Sequence, residues 1–297
     1  MTLLIGSLQL GFLYGILGLG IYISFRILSI PDLTTEGSFS FGLAVSAAVT
    51  AAGHPVLALP AAVAAGAAAG AVTGLLQTKL LVHHILSGII TMSGLYSVNL
   101  LVLGGASNLS LVRADTVFRI IPFLDRDTAM TVLPIAAAAV CLVLLVLFFR
   151  THLGMCIRAV GDNEAMVRAS SINTDGCKVL AFMISNALIA LSGGLIAQYQ
   201  GYADISSGTG ILVVGLASVI IGEAVFGRRS VAIGFVSAIV GSIIYRYIIA
   251  LATRYSPLPA YMLKLVSALI VALALAIPAF KYYAARAKQK RGGGQDA

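Results

Sequence analysis

Long apolar stretches alternate with short polar breaks along almost the whole chain. A bilayer core about 30 Å thick is crossed by roughly 20 mostly apolar residues in helical form. Nine segments approach that requirement: Leu3–Phe25, Gly37–Gly53, Val56–Leu76, Ile85–Leu103, Thr128–Phe149, Val179–Gln198, Gly208–Phe226, Val231–Ala252 and Tyr261–Phe280. The shorter ones are candidates for re-entrant or broken helices. Gly11, Gly15 and Gly18 in the first span, and Gly66, Gly70 and Gly74 in the third, leave flat faces that another helix can approach closely. The pattern predicts an all-α polytopic membrane fold of about 8–10 spans, with a transmembrane domain over 1–280 and a basic tail over 281–297. Leu3 onward reads as a retained first span, since neither a basic n-region nor a cleavage site precedes it.

Composition fixes the class. The chain is 59% hydrophobic and only 10% charged, with a mean hydropathy of +1.01, whereas a soluble domain carries about a quarter charged residues. A net charge of +8 calls for no nucleic acid, because Lys and Arg of membrane proteins gather on the cytoplasmic side. With the tail inside and the spans alternating, that side holds Arg26, Lys79, Arg150, Arg158, Arg168, Lys178, Arg228, Arg229 and the tail cations, 13 of the 19 Lys and Arg. Arg113, Arg119, Arg126, Arg246, Arg254 and Lys264 make up the rest. The N-terminus is then outside and the loop 150–178 cytoplasmic. Cys141, Cys156 and Cys177 are scattered and odd in number, which suits a reducing face or a helix core and not a disulfide framework.

That loop is the long polar interruption of the second half. Gly161-Asp162-Asn163 supplies a helix N-cap, and Glu164 and Arg168 pair at i,i+4. Ala165, Ala169 and Ile172 fall on one face of a short helix over Asp162–Ile172, and Asn173-Thr174-Asp175 can cap the span that follows. A small-residue face on a cytoplasmic helix suits docking into a groove of a soluble partner; an ordinary basic loop with a chance helical turn is the alternative. Elsewhere, Val112, Val117, Phe118 and Ile121 mark an amphipathic piece for the membrane surface.

Two stretches echo each other. Asp32-Leu-Thr-Thr-Glu-Gly37 leads to Gly42-Leu43-Ala44, and Asp204-Ile-Ser-Ser-Gly208 leads to Gly215-Leu216-Ala217. The first starts on the cytoplasmic side and the second outside, so the copies are inverted, as in many transport proteins. Chance recurrence of small residues is the competing explanation. Of the polar residues within spans, most Ser and Thr bond to their own backbone. Asn99 and Asn186 are costlier to bury, and with Thr91 and Tyr96 they are the pathway candidates. Tyr199 and Tyr202 suit an interfacial aromatic belt better than a substrate role. Glu36, Asp204 and Glu223 lie near span ends and not at the midplane, where an ion relay wants a carboxylate. That weighs against an ion-coupled carrier.

Enzymatic motifs are missing from the sequence: no phosphate loop, His-Glu-x-x-His, Cys-x-x-Cys or Gly-x-Ser-x-Gly occurs. Adjacent His83 and His84 are expected to point apart on a helix and so to hold no metal. No catalytic residue and no cofactor is expected in this chain.

The run Gly154-Met-Cys-Ile-Arg-Ala-Val-Gly-Asp-Asn-Glu-Ala-Met-Val-Arg-Ala-Ser-Ser-Ile-Asn-Thr, continued through Lys178-Val-Leu-Ala-Phe and Leu191-Ser-Gly-Gly-Leu-Ile-Ala, resembles the cytoplasmic loop and next helix of ABC-importer permeases of the branched-chain amino acid (LivH/LivM) type. Ser171 stands where that pattern has Gly. Asp32-Leu-Thr-Thr-Glu-Gly-Ser-Phe and Gly88-Ile-Ile-Thr-Met-Ser-Gly-Leu-Tyr-Ser-Val-Asn are similar to a subgroup that works with lipoprotein-type binding proteins, often assigned to aromatic amino acids. The resemblance implies a permease subunit in the bacterial cytoplasmic membrane, taking an amino acid inward. It implies two copies forming the pore, with a heterodimer as the variant, and an extracytoplasmic binding protein docking near 113–127. An ABC ATPase would bind the nucleotide and receive Asp162, Asn163, Glu164, Ala165, Arg168 and Ala169 as a coupling helix. The runner-up is an ion-coupled secondary transporter or facilitator, motivated by the inverted echo.

Overall fold

The computed structural model describes residues 2–120, 126–227 and 230–255, with isolated helical positions between 265 and 276. The expected ninth span falls almost wholly outside the described residues, and the basic tail, Arg228, Arg229 and Ile121 fall outside them entirely. The helices are α1 (Thr2–Tyr22), continued by a π-helical turn at Ile23–Ile27, α2 (Thr34–Ala51), α3 (Pro55–Thr78), α4 (His84–Val102), α5 (Val117–Ile120), α6 (Arg126–Phe148), α7 (His152–Asp162), α8 (Glu164–Ala169), α9 (Thr174–Gln200), α10 (Ile211–Phe226) and α11 (Val231–Tyr255). A two-stranded antiparallel ribbon pairs β1 (Asn108–Ser110) with β2 (Tyr202–Asp204), Asn108 opposite Asp204.

Among the described residues, seven helical segments are long and apolar enough to cross a membrane: Leu4–Ile27, Pro55–Thr78, His84–Val102, Asp127–Phe148, Thr174–Gln200, Ile205–Phe226 and Val231–Arg254. The second expected span, α2, is an unbroken helix that falls short of that measure. It packs against α3, α4 and α9, and its Ser38, Ser40, Ser46 and Thr50 are buried in protein. Lipid contact selects for hydropathy and this helix has little of it.

α9 is the axis, with α1, α2 and α3 laid on it. Gly66, Gly70 and Gly74 of α3 face the backbones of Asn186, Phe182 and Val179, and a Cβ at Gly70 would overlap Phe182. Gly42 of α2 leaves no room for a Cβ against Ala190. Gly11, Gly15 and Gly18 of α1 lie on Ile243, Ile239 and Ala238 of α11. Between helices in a membrane, close van der Waals fit is the main attraction, because lipid tails are as apolar as the side chains they replace. The buried hydroxyls follow the same logic: Ser185 donates to the Gly20 carbonyl (2.8 Å) and Ser192 to that of Leu13 (2.8 Å).

Cations gather at one end. Gly161 packs on the backbone of Ile27, Arg26 pairs with Glu223, and Lys79 lies 3.9 Å from Asp175. By the positive-inside rule this end is cytoplasmic. At the opposite end Gln198 accepts from the Val117 N–H (2.9 Å) and donates to the Pro55 carbonyl (3.0 Å), tying three elements together.

Several expectations need correction. Of the piece containing Val112, Val117 and Phe118, Val112 is exposed, but Phe118 turns inward: it is buried edge-on against Tyr199, with ring centroids 5.8 Å apart. Arg246 sits within α11, as the span Val231–Ala252 implies, its guanidinium 3.5 Å from the Tyr14 ring centroid. Both echo segments make the same turn, Asp32 accepting from the Thr34 N–H and Asp204 from the Ser206 N–H, each at 2.8 Å. α2 runs away from the cationic end and α10 runs toward it, bringing Glu223 to Arg26. The two segments also meet: Ser40 donates to the Ile205 carbonyl and the Gly210 N–H donates to Glu36, both at 2.9 Å.

Candidate functional site

Two places carry organised polar chemistry. The first is the cytoplasmic loop. Thr151 caps α7, whose Cys156, Ile157 and Val160 are buried; this helix was not expected, although a Thr ahead of that apolar spacing signals it. α8 is shorter than the expected Asp162–Ile172, because Asp162 ends α7 and Asn163 is the cap, its side chain accepting from the Met166 N–H at 3.1 Å. Asn173 caps α9 in the same way, accepting from Gly176 (2.9 Å).

Charge pins α8 in place. Arg168 bonds Glu164 (3.1 Å), Thr174 (3.1 Å) and Asp175 (3.3 Å), while Lys178 reaches the other oxygen of Glu164 at 2.7 Å. The hydrogen bond from Lys178 is the main reason that the Glu164 carboxyl is held below the usual glutamate range, with the charges of Lys178 and Arg168 adding to it against a partial burial cost. Single exposed pairs contribute little, but a network shared by α8 and α9 fixes orientation. Val167 is the buried residue of the helix, and Ala165, Met166 (61% exposed) and Ala169 face outward. Ile172 does not continue that face; it is half-buried in the turn.

Ser171 follows α8 at φ +60°. Helices often close on a left-handed residue, usually glycine, because other side chains pay about 1–2 kcal/mol there. Ser171→Gly is therefore expected to stabilise the loop by about 1 kcal/mol, seen as slower proteolysis between α7 and α9; a faster cut would contradict it.

The second place is a cavity of about 410 Å³ lined by Glu36, Gly37, Ser40, Met92, Ser93, Tyr96, Asn99, Ile205, Gly208 and Thr209. It lies between α2, α4 and the turn ahead of α10. Tyr96 is 57% exposed, whereas Asn99 is 1% exposed with its Oδ1 unpaired among the described residues. Of the four pathway candidates, Tyr96 and Asn99 line this cavity. Thr91 and Asn186 belong instead to a buried network beneath it. There Asp32 (2% exposed) accepts from the Asn186 side chain at 2.7 Å and from the Thr34 N–H, and Thr34, Thr73 and Thr91 hydroxyls follow at 2.7 and 3.0 Å, ending on the Ser87 carbonyl (3.0 Å). Asp32 reads in the sequence as a loop residue beside Pro31, so a buried carboxylate in the bundle was missed. His83 and His84 do not point apart: their rings stack with centroids 4.1 Å apart. No metal-binding cluster of His, Cys, Asp and Glu occurs among the described residues.

A multi-pass bundle with a polar cavity between its helices and a pinned helix at its cytoplasmic end has the build of a transport permease. A family model for the permease component of branched-chain amino acid transport systems matches residues 3–275, and the chain belongs to that family. A tyrosine transport system permease protein of Clostridioides difficile (strain R20291) is 38% identical over 277 residues, 93% of this chain and 91% of the relative. An uncharacterized protein of Rickettsia prowazekii (strain Madrid E) is 34% identical over 228 residues, 76% of this chain and 79% of its own length. An autoinducer 2 import system permease protein of Yersinia pseudotuberculosis is 26% identical over 196 residues, 65% of this chain and 53% of that protein. No solved structure matches the chain. The protein is a multi-pass permease subunit of an ABC importer in the bacterial inner membrane.

Proposed function

We propose that this permease imports an aromatic amino acid, with ATP bound and hydrolysed by a partner ABC ATPase that docks on α8. Support for the substrate class is the likeness to the tyrosine system permease over most of both chains. The observation that carries the docking is the outward face of α8: Ala165, Met166 and Ala169 are exposed on a helix whose back is locked by Val167 and by the Glu164–Lys178 and Arg168–Asp175 pairs. A small apolar face on a braced stub transmits a push instead of absorbing it. Asn163, Glu164 and Arg168 hold the stub, Asp162 ends the helix ahead of it, and Ala165 and Ala169 touch the partner. Two copies of the chain, or this chain with a homologue, form the pore, the permease domain occupying 1–280. α4 supports this pairing, since Ser93, Tyr96 and Ser97 are exposed on a span otherwise rich in apolar residues. A binding protein delivers the solute at the ribbon end. Nucleotide-driven closure of the ATPase pair biases the pore between two access states.

Ala165→Arg places a long cation on the docking face without touching the α8 braces. Uptake of labelled L-tyrosine is expected to fall about tenfold or more, the loss expected when a charge is buried unpaired at an interface, with unchanged permease abundance in the membrane. Uptake that persists in cells deleted for every partner ATPase would sink the reading and favour the ion-coupled alternative.

A further inference from the structure

Glu36 and Asn99 present the cavity with a chemical demand that the described protein does not meet. Glu36 is half-buried; its Oε1 accepts from the Gly210 N–H at 2.9 Å, and that is the hydrogen bond its carboxylate makes among the described residues. Asn99 is buried, yet its Oδ1 finds no donor among the described residues. A buried acceptor left unmatched is costly, and natural proteins keep few of them. Ser40 is already spent on the Ile205 carbonyl, leaving Ser93, Tyr96 and Thr209 as hydroxyls on the same wall. Among the described residues, no Lys, Arg or His lines the cavity. Its size falls in the range of small-molecule sites, about 300–1,000 Å³, and Met92 and Ile205 give it an apolar side.

The candidate ligands separate on this chemistry. An anion entering here would meet a carboxylate with no compensating cation. A neutral apolar solute would leave the buried Asn99 oxygen unmatched and the Glu36 charge without a counter-ion. A primary ammonium brings one positive charge and three N–H donors, enough for a carboxylate oxygen, an amide oxygen and a hydroxyl together. Away from bulk water, that charge-assisted pairing is stronger than between neutral groups.

We propose that this cavity is a transit site for the ammonium group of the transported solute, with Glu36 and Asn99 as its acceptors and Tyr96 at its mouth. The proposal rests on the reading of the chain as an amino acid permease and adds a second check on the solute after the binding protein: a deaminated acid of the same shape is refused. Glu36→Gln is the informative variant, because its side-chain oxygen can still accept from Gly210 while the charge is gone.

The test uses the intact transporter in cells supplied with a radiolabelled mixture of amino acids, with permease abundance measured by immunoblot. Glu36→Gln is expected to lower the uptake rate at equal abundance by about tenfold. Glu36→Asp keeps the charge and is expected to recover to within about threefold of wild type, the shorter side chain weakening but not abolishing the contact. Asn99→Leu is expected to raise the half-saturating concentration by about fivefold. Uptake by Glu36→Gln within twofold of wild type would overturn the proposal, as would equal losses in the Gln and Asp variants, since the charge would then be irrelevant. If the wild type takes up no labelled amino acid, the substrate reading itself falls and this proposal with it.

Discussion

Gly42→Leu is expected to deplete the permease from the membrane. Gly42 sits where α2 crosses α9, and even a Cβ there would overlap the carbonyl and Cα of Ala190. Neither side can yield by rotating a side chain, since both are backbone. Overpacking a core costs about 1–3 kcal/mol when side chains can adjust, and more is expected here. α2 also packs against α3 and α4, so a displaced α2 loses its other faces at once. Gly6→Leu is the control, because nothing lies within 4 Å of a Cβ at that position. Immunoblots of membranes and size-exclusion profiles in detergent should show Gly6→Leu near wild type and Gly42→Leu nearly absent. Equal abundance of the two would refute the assignment of α2 as the packed centre.

Asp32→Ala is the second large effect. It strands the Thr34 N–H at the start of α2 and one N–H of the Asn186 amide of α9, whose nitrogen keeps its bond to the Phe182 carbonyl, both inside the bundle. Each orphaned buried donor costs about 1–3 kcal/mol, and the variant is expected to melt roughly 5–15 °C lower. Asp32→Asn retains an acceptor for Thr34 and should fall between the two. A thermal unfolding series on the purified permease decides it; an Asp32→Ala curve superimposed on wild type would show that the network carries no stability.

The legible parts of the fold were those with a local period. Gly66, Gly70 and Gly74 recur every four residues, so they share a helix face whatever lies opposite, and the face did meet α9. The caps were legible because Asn163 and Asn173 act within three residues of themselves. Asp32 was opaque for the opposite reason: its partner Asn186 is 154 positions away, and beside Pro31 it looks like a turn. Phe118 misled in the same manner, since an amphipathic stretch cannot say whether its apolar side meets lipid or, as here, Tyr199. Tyr96 and Asn99 stood out as costly polar residues in an apolar span, but Glu36 looked like a residue near a span end. Only the approach of Gly208 and Gly210 to α2 turns it into a cavity wall. Ser171 was visible as a departure from the family pattern, and its left-handed backbone supplies the reason that glycine suits the position.

The contact between Gly161 and the backbone of Ile27 has a mechanical consequence. On the proposed coupling, a thrust arriving from the cytosol along the α7–α8 elbow would find no slack to take up at that point, since no side chain intervenes. It would land on the π-helical turn Ile23–Ile27 that continues α1, a break in the regular helical hydrogen-bond ladder. From there only Leu28 to Leu33 separate the blow from α2, whose first turn carries Glu36. In the proposed transporter, the gatepost of the solute chamber would therefore stand on the same short length of chain that receives the hammer.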